Sequence, residues 1–330
     1  MSDNVIMLSA NESRPAPEAR RIIEALGSSA LPHDAAEARE RYRRSRKPFL
    51  AGMAAVSDVI RVYPAERGVP PLAVIRPLGW AEAGAMPALL FLHGGGWTVG
   101  DFPTYEPFCR QLANATGCAI VWVEYRLAPE HPFPAPYDDT RAALNWIRAH
   151  HRSYGIDRSR IGIAGDSAGG NLAAAVSLAE RNEGCDAPWV QLLLYPCLDL
   201  EATLPSHREF ANGYLLTESL YAWYRRNYLG NFSQAGHWKL SPLRADDLSG
   251  LPPAVVLYAG FDPLRDEAAE YAARLKEAGV PTQTLYFPDM IHGFLTMGGA
   301  VPAAQVAVSR IAQSLKLLVR GEVRSGGPVR

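Results

Sequence analysis

Hydrophobic and polar positions fall into two alternating rhythms along the chain. Short runs rich in Val, Ile, Leu and aromatic residues occur at Val56–Tyr63, Leu72–Pro77, Ala88–Leu92, Ala119–Tyr125, Arg160–Ala164, Val190–Tyr195, Ala254–Ala259 and Thr282–Phe287. Several are apolar almost throughout, the pattern of strands covered on both faces. Longer segments with helical spacing separate them, at Thr104–Thr116, Tyr137–Tyr154, Ala168–Asn182, Pro263–Ala278 and Pro302–Val319. In the fourth, Leu264, Ala268, Tyr271, Leu275 and Ala278 share one face, which marks core packing.

Strands alternating with helices predict an α/β fold built on one open, mostly parallel eight-stranded sheet with helices on both faces. The earliest strands, joined by short turns, are expected to be antiparallel. Residues 1–50, rich in Ala, Glu and Arg, fall outside that rhythm. So do residues 200–240, which carry Phe210, Tyr214, Tyr221, Trp223, Tyr224 and Tyr228. Both are read as segments of a helical cap, leaving 51–199 and 241–330 as the two parts of the core. The tail from Ser325 to Arg330 is expected to fray.

With 330 residues, 48% of them hydrophobic and 20% charged, the chain can bury a large core. A formal net charge of -1 and the lack of a long basic run argue against a nucleic-acid footprint or an anionic-membrane anchor. A small neutral partner fits better. The opening MSDNVIMLSANESRP has polar and acidic residues where a signal peptide needs a basic end and an apolar stretch, so a cytoplasmic location is expected. Cys109, Cys118, Cys185 and Cys197 are isolated, with no CxxC pair and no His at ligand spacing, and read as buried thiols rather than a metal site.

Candidate chemistry centres on Gly165-Asp-Ser-Ala-Gly-Gly170. It follows the apolar run ending at Ala164 and leads into an Ala-rich helix. Glycines at 165 and 169 suit a sharp strand-to-helix turn that presents Ser167, and the helix start favours negative charge beside it. A serine hydroxyl needs a base, and the base needs an orienting acid. His292 lies just past the last strand, at the sheet edge expected for Ser167. His33, His150, His151, His207 and His237 lie in linking or cap segments or after a helix, and read as structural or solvent-exposed. Asp262 follows the strand ending near Phe261 and is the best-placed carboxylate, whereas Asp266 and Glu267 read as partners of a helix dipole. His93-Gly-Gly-Gly-Trp97 follows another strand and can bring backbone N–H groups close to a substrate. It lacks the GK[ST] ending of a P-loop and is not a dinucleotide fingerprint.

Together these motifs, with Tyr125-Arg-Leu-Ala-Pro-Glu130, Asp262-Pro-Leu264 and His292-Gly-Phe294, resemble the bacterial hormone-sensitive lipase family of α/β-hydrolase esterases over residues 70–320. The resemblance implies Ser167 as nucleophile, His292 as base and Asp262 as orienting acid. It further implies an oxyanion hole from the N–H groups of Gly95, Gly96 and Ala168, and a cap over the acyl pocket. It also makes His93 a scaffold residue, with Tyr125 and Glu130 read as part of a structural network below the site and Asp166 as a support of the turn. The expected reaction is hydrolysis of short- to medium-chain acyl or aryl esters, with no metal or organic cofactor. Amide or lactone hydrolysis by the same residues, and a non-catalytic receptor on this scaffold, are the alternatives. Because the last strand would be a sheet edge beside the long final helix, a homodimer through that edge is also expected.

Overall fold

A computed structural model describes residues 14–27, 30–80 and 84–319. The tail expected to fray, and residues 1–13, which hold most of the stretch read against a signal peptide, lie outside the described residues. In chain order the strands are β1 (Asp58–Val62), β2 (Leu72–Arg76), β3 (Met86–Leu92), β4 (Ala119–Val123), β5 (Ile156–Asp166), β6 (Gln191–Leu194), β7 (Ala254–Phe261) and β8 (Thr282–Ile291). The helices are α1 (Pro17–Leu26), α2 (Ala35–Arg46), α3 (Phe102–Thr116), α4 (Ala135–His150), α5 (Ala168–Asn182), α6 (Pro205–Glu209), α7 (Glu218–Leu229), α8 (Arg265–Glu277) and α9 (Ala303–Val319).

The strands form a single eight-stranded sheet in the order β1-β2-β4-β3-β5-β6-β7-β8. β2 runs antiparallel to both β1 and β4, and every other pairing is parallel. Side chains alternate across each strand, so the sheet separates two apolar layers. Leu90 and Leu92 of β3 point into the layer that holds α4, α5 and α8, whereas Leu89 and Phe91 point into the layer of α3 and α9. A near-continuous apolar strand is the sequence signature of this two-sided burial.

Strand ends differ from the sequence reading where pairing extends them. β5 starts at Ile156, because Met86 pairs with Ile156 across a register shift before regular pairing begins at Ala88 and Ile161. β8 runs on to Ile291, past a second shift, and pairs there with Phe261. The helix read as Tyr137–Tyr154 begins at Ala135 and ends at His150, where the chain tightens into a 3-10 turn over His151–Tyr154. Asp101 accepts a hydrogen bond from the Thr104 N–H at 3.1 Å, which starts α3 at Phe102.

The strand order also decides where a ligand can sit. Neighbouring strands β3 and β5 send their following helices, α3 and α5, to opposite faces of the sheet. A crevice opens between two such loops at the carboxyl ends of the strands. Leu90 is completely buried in the middle of this sheet, so Leu90→Ala should lower the unfolding free energy by about 2–5 kcal/mol, read by urea denaturation.

Candidate active site

β5 delivers Ser167 into the crevice. Its backbone has φ 53° and ψ -117°, a strained conformation for a residue with a side chain. Close packing holds it: a Cβ on Gly165 would strike the backbone of Gly169, and one on Gly169 would strike the Leu92 carbonyl. The Ser167 N–H donates to the Leu194 carbonyl at 2.9 Å, and α5 begins at the next residue.

Strand register brings the other two predicted residues together. Phe261 of β7 pairs with Ile291 of β8, so the residues that follow, Asp262 and His292, emerge side by side. His292 Nδ1 lies 2.7 Å from Asp262 Oδ2, and His292 Nε2 lies 2.9 Å from Ser167 Oγ. Asp262 is wholly buried, with its other oxygen accepting the Leu264 N–H at 2.8 Å. With a carboxylate as acceptor, Nδ1 carries the imidazole proton and Nε2 is left to accept from the serine hydroxyl. Such a chain can raise the nucleophilicity of a serine and return a proton to a leaving group.

The glycine loop is held by two separate devices. Gly94 N–H donates to Asp166 Oδ1 at 2.7 Å, and Tyr105 Oη donates to Asp166 Oδ2 at 3.1 Å. This follows from Leu92 pairing with Gly165, which sets the residues beyond them next to each other. Beneath the loop, the His93 ring stacks between Trp122 and Tyr125, with centroids at 4.8 and 4.3 Å. Its Nδ1 lies 2.7 Å from the Gly94 carbonyl, an acceptor only, so that nitrogen is the protonated one. Burial lowers the His93 pKa to about 4, which keeps the ring neutral. Tyr125 Oη donates to the His93 carbonyl at 2.6 Å. The loop then turns through positive φ at Gly95 (107°) and Gly96 (58°), and a Cβ on Gly96 would meet the Tyr224 ring.

Gly95, Gly96, Ser167, Ala168 and His292 all line one cavity of about 410 Å³. Much of the rest of its wall comes from both outlying segments, including Tyr42 and Arg46 of α2 and Leu215, Leu220 and Tyr224 around α7, and the remainder from core residues such as Tyr105, Leu264 and Thr296. Of the aromatic residues singled out in the sequence, Trp97, Tyr221 and Tyr224 reach the cavity. Phe210 and Tyr214 pack on Phe261 instead, and Tyr228 stacks on Trp97 at 4.2 Å.

One carboxylate differs from its sequence reading: Glu130 is not below the site but forms a surface ion pair with Arg39 of α2 at 2.6 Å. Glu267 lies in the first turn of α8 as read, and it is in addition fully buried and accepts the N–H groups of Leu198 and Asp199. The cavity residues of α2 carry no motif, so nothing in their sequence distinguished them from a solvated basic face. Among the described residues no group of His, Cys, Asp and Glu could hold a metal ion, and no helix is long and apolar enough to cross a membrane.

Comparison with known proteins fits this geometry. The α/β-hydrolase fold family matches residues 89–296. A carboxylic ester hydrolase, LipN, of Mycobacterium tuberculosis is 40% identical over 76% of this chain and 69% of its own. An ethyl acetate hydrolase of Pseudomonas putida is 33% identical over 86% of this chain and 90% of its own. The solved structure of an ester hydrolase from the metagenome of Lake Arreo superposes with a TM-score of 0.87 at 37% identity, covering 93% of this chain and 99% of that one. The chain belongs to the α/β-hydrolase superfamily. Within it, the chain is a carboxylic ester hydrolase of the hormone-sensitive-lipase-like branch, family IV.

Burial raises the Asp166 pKa to about 6, against the opposing bonds from Gly94 and Tyr105. Between pH 4 and 6 the folded state therefore binds more protons at this site than the unfolded chain, and its stabilising contribution is lost as pH rises through that window. The stability of the parent relative to Asp166→Asn should fall by on the order of 2 kcal/mol from pH 4 to pH 7, measured by urea denaturation at each pH.

Proposed function

We propose that the chain hydrolyses short- to medium-chain acyl or aryl esters through an acyl-enzyme on Ser167. The observation that carries this reading is the unbroken relay Asp262–His292–Ser167, with separations of 2.7 and 2.9 Å, opening into the cavity. Ser167 Oγ attacks the ester carbonyl carbon as its proton passes to His292 Nε2. The imidazolium that forms is stabilised by the Asp262 carboxylate. The carbonyl oxygen becomes an oxyanion and is received by the N–H groups of Gly95, Gly96 and Ala168. Ala168 opens α5, where an N–H has no acceptor within the helix. Collapse of the intermediate breaks the bond to the alkoxy oxygen, which leaves with the proton from His292. Water, deprotonated by the same nitrogen, then attacks the acyl-enzyme and releases the acid and Ser167.

Substrate size is supported by the cavity volume of about 410 Å³ and by its apolar wall of Leu31, Leu215, Leu216 and Leu220. The Pseudomonas relative named as an ethyl acetate hydrolase supports a short acyl group. In this reading α1, α2, α6 and α7 form the cap. A cytoplasmic location is supported by four unpaired cysteines, three of them buried. A homodimer is supported by β8 lying at the sheet edge with α9 against it, and light scattering should give twice the chain mass.

Ser167→Ala should lower kcat for a 4-nitrophenyl ester by several orders of magnitude with the circular dichroism spectrum retained. A series of 4-nitrophenyl esters from C2 to C12, run beside an anilide, should peak among the shorter esters. Preference for the anilide would indicate an amidase, and turnover of neither class would indicate a receptor.

A further inference from the structure

α2 carries five arginines, Arg39, Arg41, Arg43, Arg44 and Arg46, and the fold divides them into two sets. Arg39 pairs with Glu130 at 2.6 Å, and Arg43 pairs with Asp101 at 2.5 Å. Arg41, Arg44 and Arg46 line the substrate cavity, and among the described residues none of the three has a carboxylate partner. A position in the last helical turn accounts for basic residues at 44 and 46, through the helix dipole. It does not account for where Arg46 points.

The Arg46 side chain is half-buried and turns into the site. Its Nη2 comes within 3.8 Å of where a Cβ on Gly293 would stand, next to His292. Its guanidinium carbon lies 5.2 Å from the centroid of the Tyr42 ring. Its hydrogen bond among the described residues runs from Nη1 to the Met297 sulfur at 2.9 Å. A thioether is a weak acceptor, and a guanidinium has five N–H donors arranged to match a carboxylate. The other N–H groups of Arg46 have no protein acceptor among the described residues and are not sealed from solvent, so a ligand in the cavity can reach them. Among the described residues Asp166 is the one carboxylate that lines the cavity, and it is 3% exposed and engaged by Gly94 and Tyr105. The cavity lining also includes the apolar side chains of Leu26, Leu31, Leu215 and Leu220.

We propose that this esterase prefers esters that carry an anion at one end, a carboxylate above all, held by Arg46 with Arg41 and Arg44 at the cavity rim. The substrate class is a hemiester of a dicarboxylic acid or the acyl ester of a hydroxy acid, with its apolar portion on the leucine wall. This rests on the ester-hydrolase reading and adds a charge requirement to it. Overall charge near neutrality conceals this local excess, because 33 basic residues are balanced by 34 acidic ones over the whole chain.

The test uses the whole chain and two isosteric substrate pairs. One pair places the anion on the acyl side, 4-nitrophenyl hemiglutarate against the 4-nitrophenyl ester of glutaric acid monoamide. The other places it on the alcohol side, 3-carboxyphenyl butyrate against 3-carbamoylphenyl butyrate. In at least one pair the anionic ester should have the higher kcat/KM by about tenfold at low salt, with the ratio falling in 0.5 M NaCl. Arg46→Gln should cut that ratio about tenfold, mainly through KM, and Arg46→Lys should restore part of it. Arg44→Gln, at an exposed position, should reduce it by a smaller factor. Slower turnover of the anionic ester in both pairs, or an unaltered ratio in Arg46→Gln and Arg44→Gln, overturns the proposal. If the neutral esters also fail to react, the fault lies with the ester-hydrolase reading.

Discussion

The hydrogen bond from Gly94 N–H to the Asp166 carboxylate, 2.7 Å long, ties together the two loops that the chemistry requires. One loop carries Ser167 and the other carries Gly95 and Gly96, and the proposed reaction needs their separation to be fixed. The bond is buried, so it is not weakened by competition with solvent, and an unsatisfied carboxylate there would be costly. Glycine packing makes the same junction rigid from a second direction. Gly169 lies against the Leu92 carbonyl so closely that no side chain fits, which fixes the start of α5 against the end of β3.

On the other side of the serine, position is set by strand pairing instead of by a tether. Asp262 and His292 are the first residues after a paired position, Phe261 with Ile291, on adjacent parallel strands. Parallel strands lie about 4.8 Å apart, which leaves two such side chains within hydrogen-bonding reach. The register shift between Ala259 and Phe261 carries the pairing far enough to do this. The relay is therefore a property of the sheet, while the glycine loop is a property of turns steadied by His93, Trp122, Tyr125 and Tyr105.

Charge is distributed to match this division. Polar groups under the site are neutral or fully bonded: His93 is held uncharged by burial, and Asp166 is satisfied by two donors. The outer segment instead brings positive charge, with two arginines of α2 neutralised by acids of the core and three turned to the cavity without a carboxylate partner among the described residues. A guanidinium facing a low-dielectric pocket acts on a ligand much more strongly than one in bulk water. In the proposed reading the core carries the reaction, and the arginines of α2 bias what enters.

Sequence by itself determined the sheet, its flanking helices and which three polar side chains meet beyond the carboxyl ends of the strands. Each of these rests on short-range constraints: apolar runs for buried strands, glycines where a turn excludes side chains, and a polar residue directly after a strand end. The convergence of Ser167, Asp262 and His292 was legible for that reason, whereas the scaffold role of His93 was an implication of the family resemblance. Tertiary structure alone decided that Glu267 is buried, that Glu130 faces Arg39 at the surface, and that Trp97, Tyr221 and Tyr224 reach the cavity while Phe210 does not. It also decided that Arg46 turns inward beside His292. A helix with arginines at five of twelve positions looks the same in sequence whichever face meets solvent, and only the packing of α2 against the core selects which of them meets a substrate.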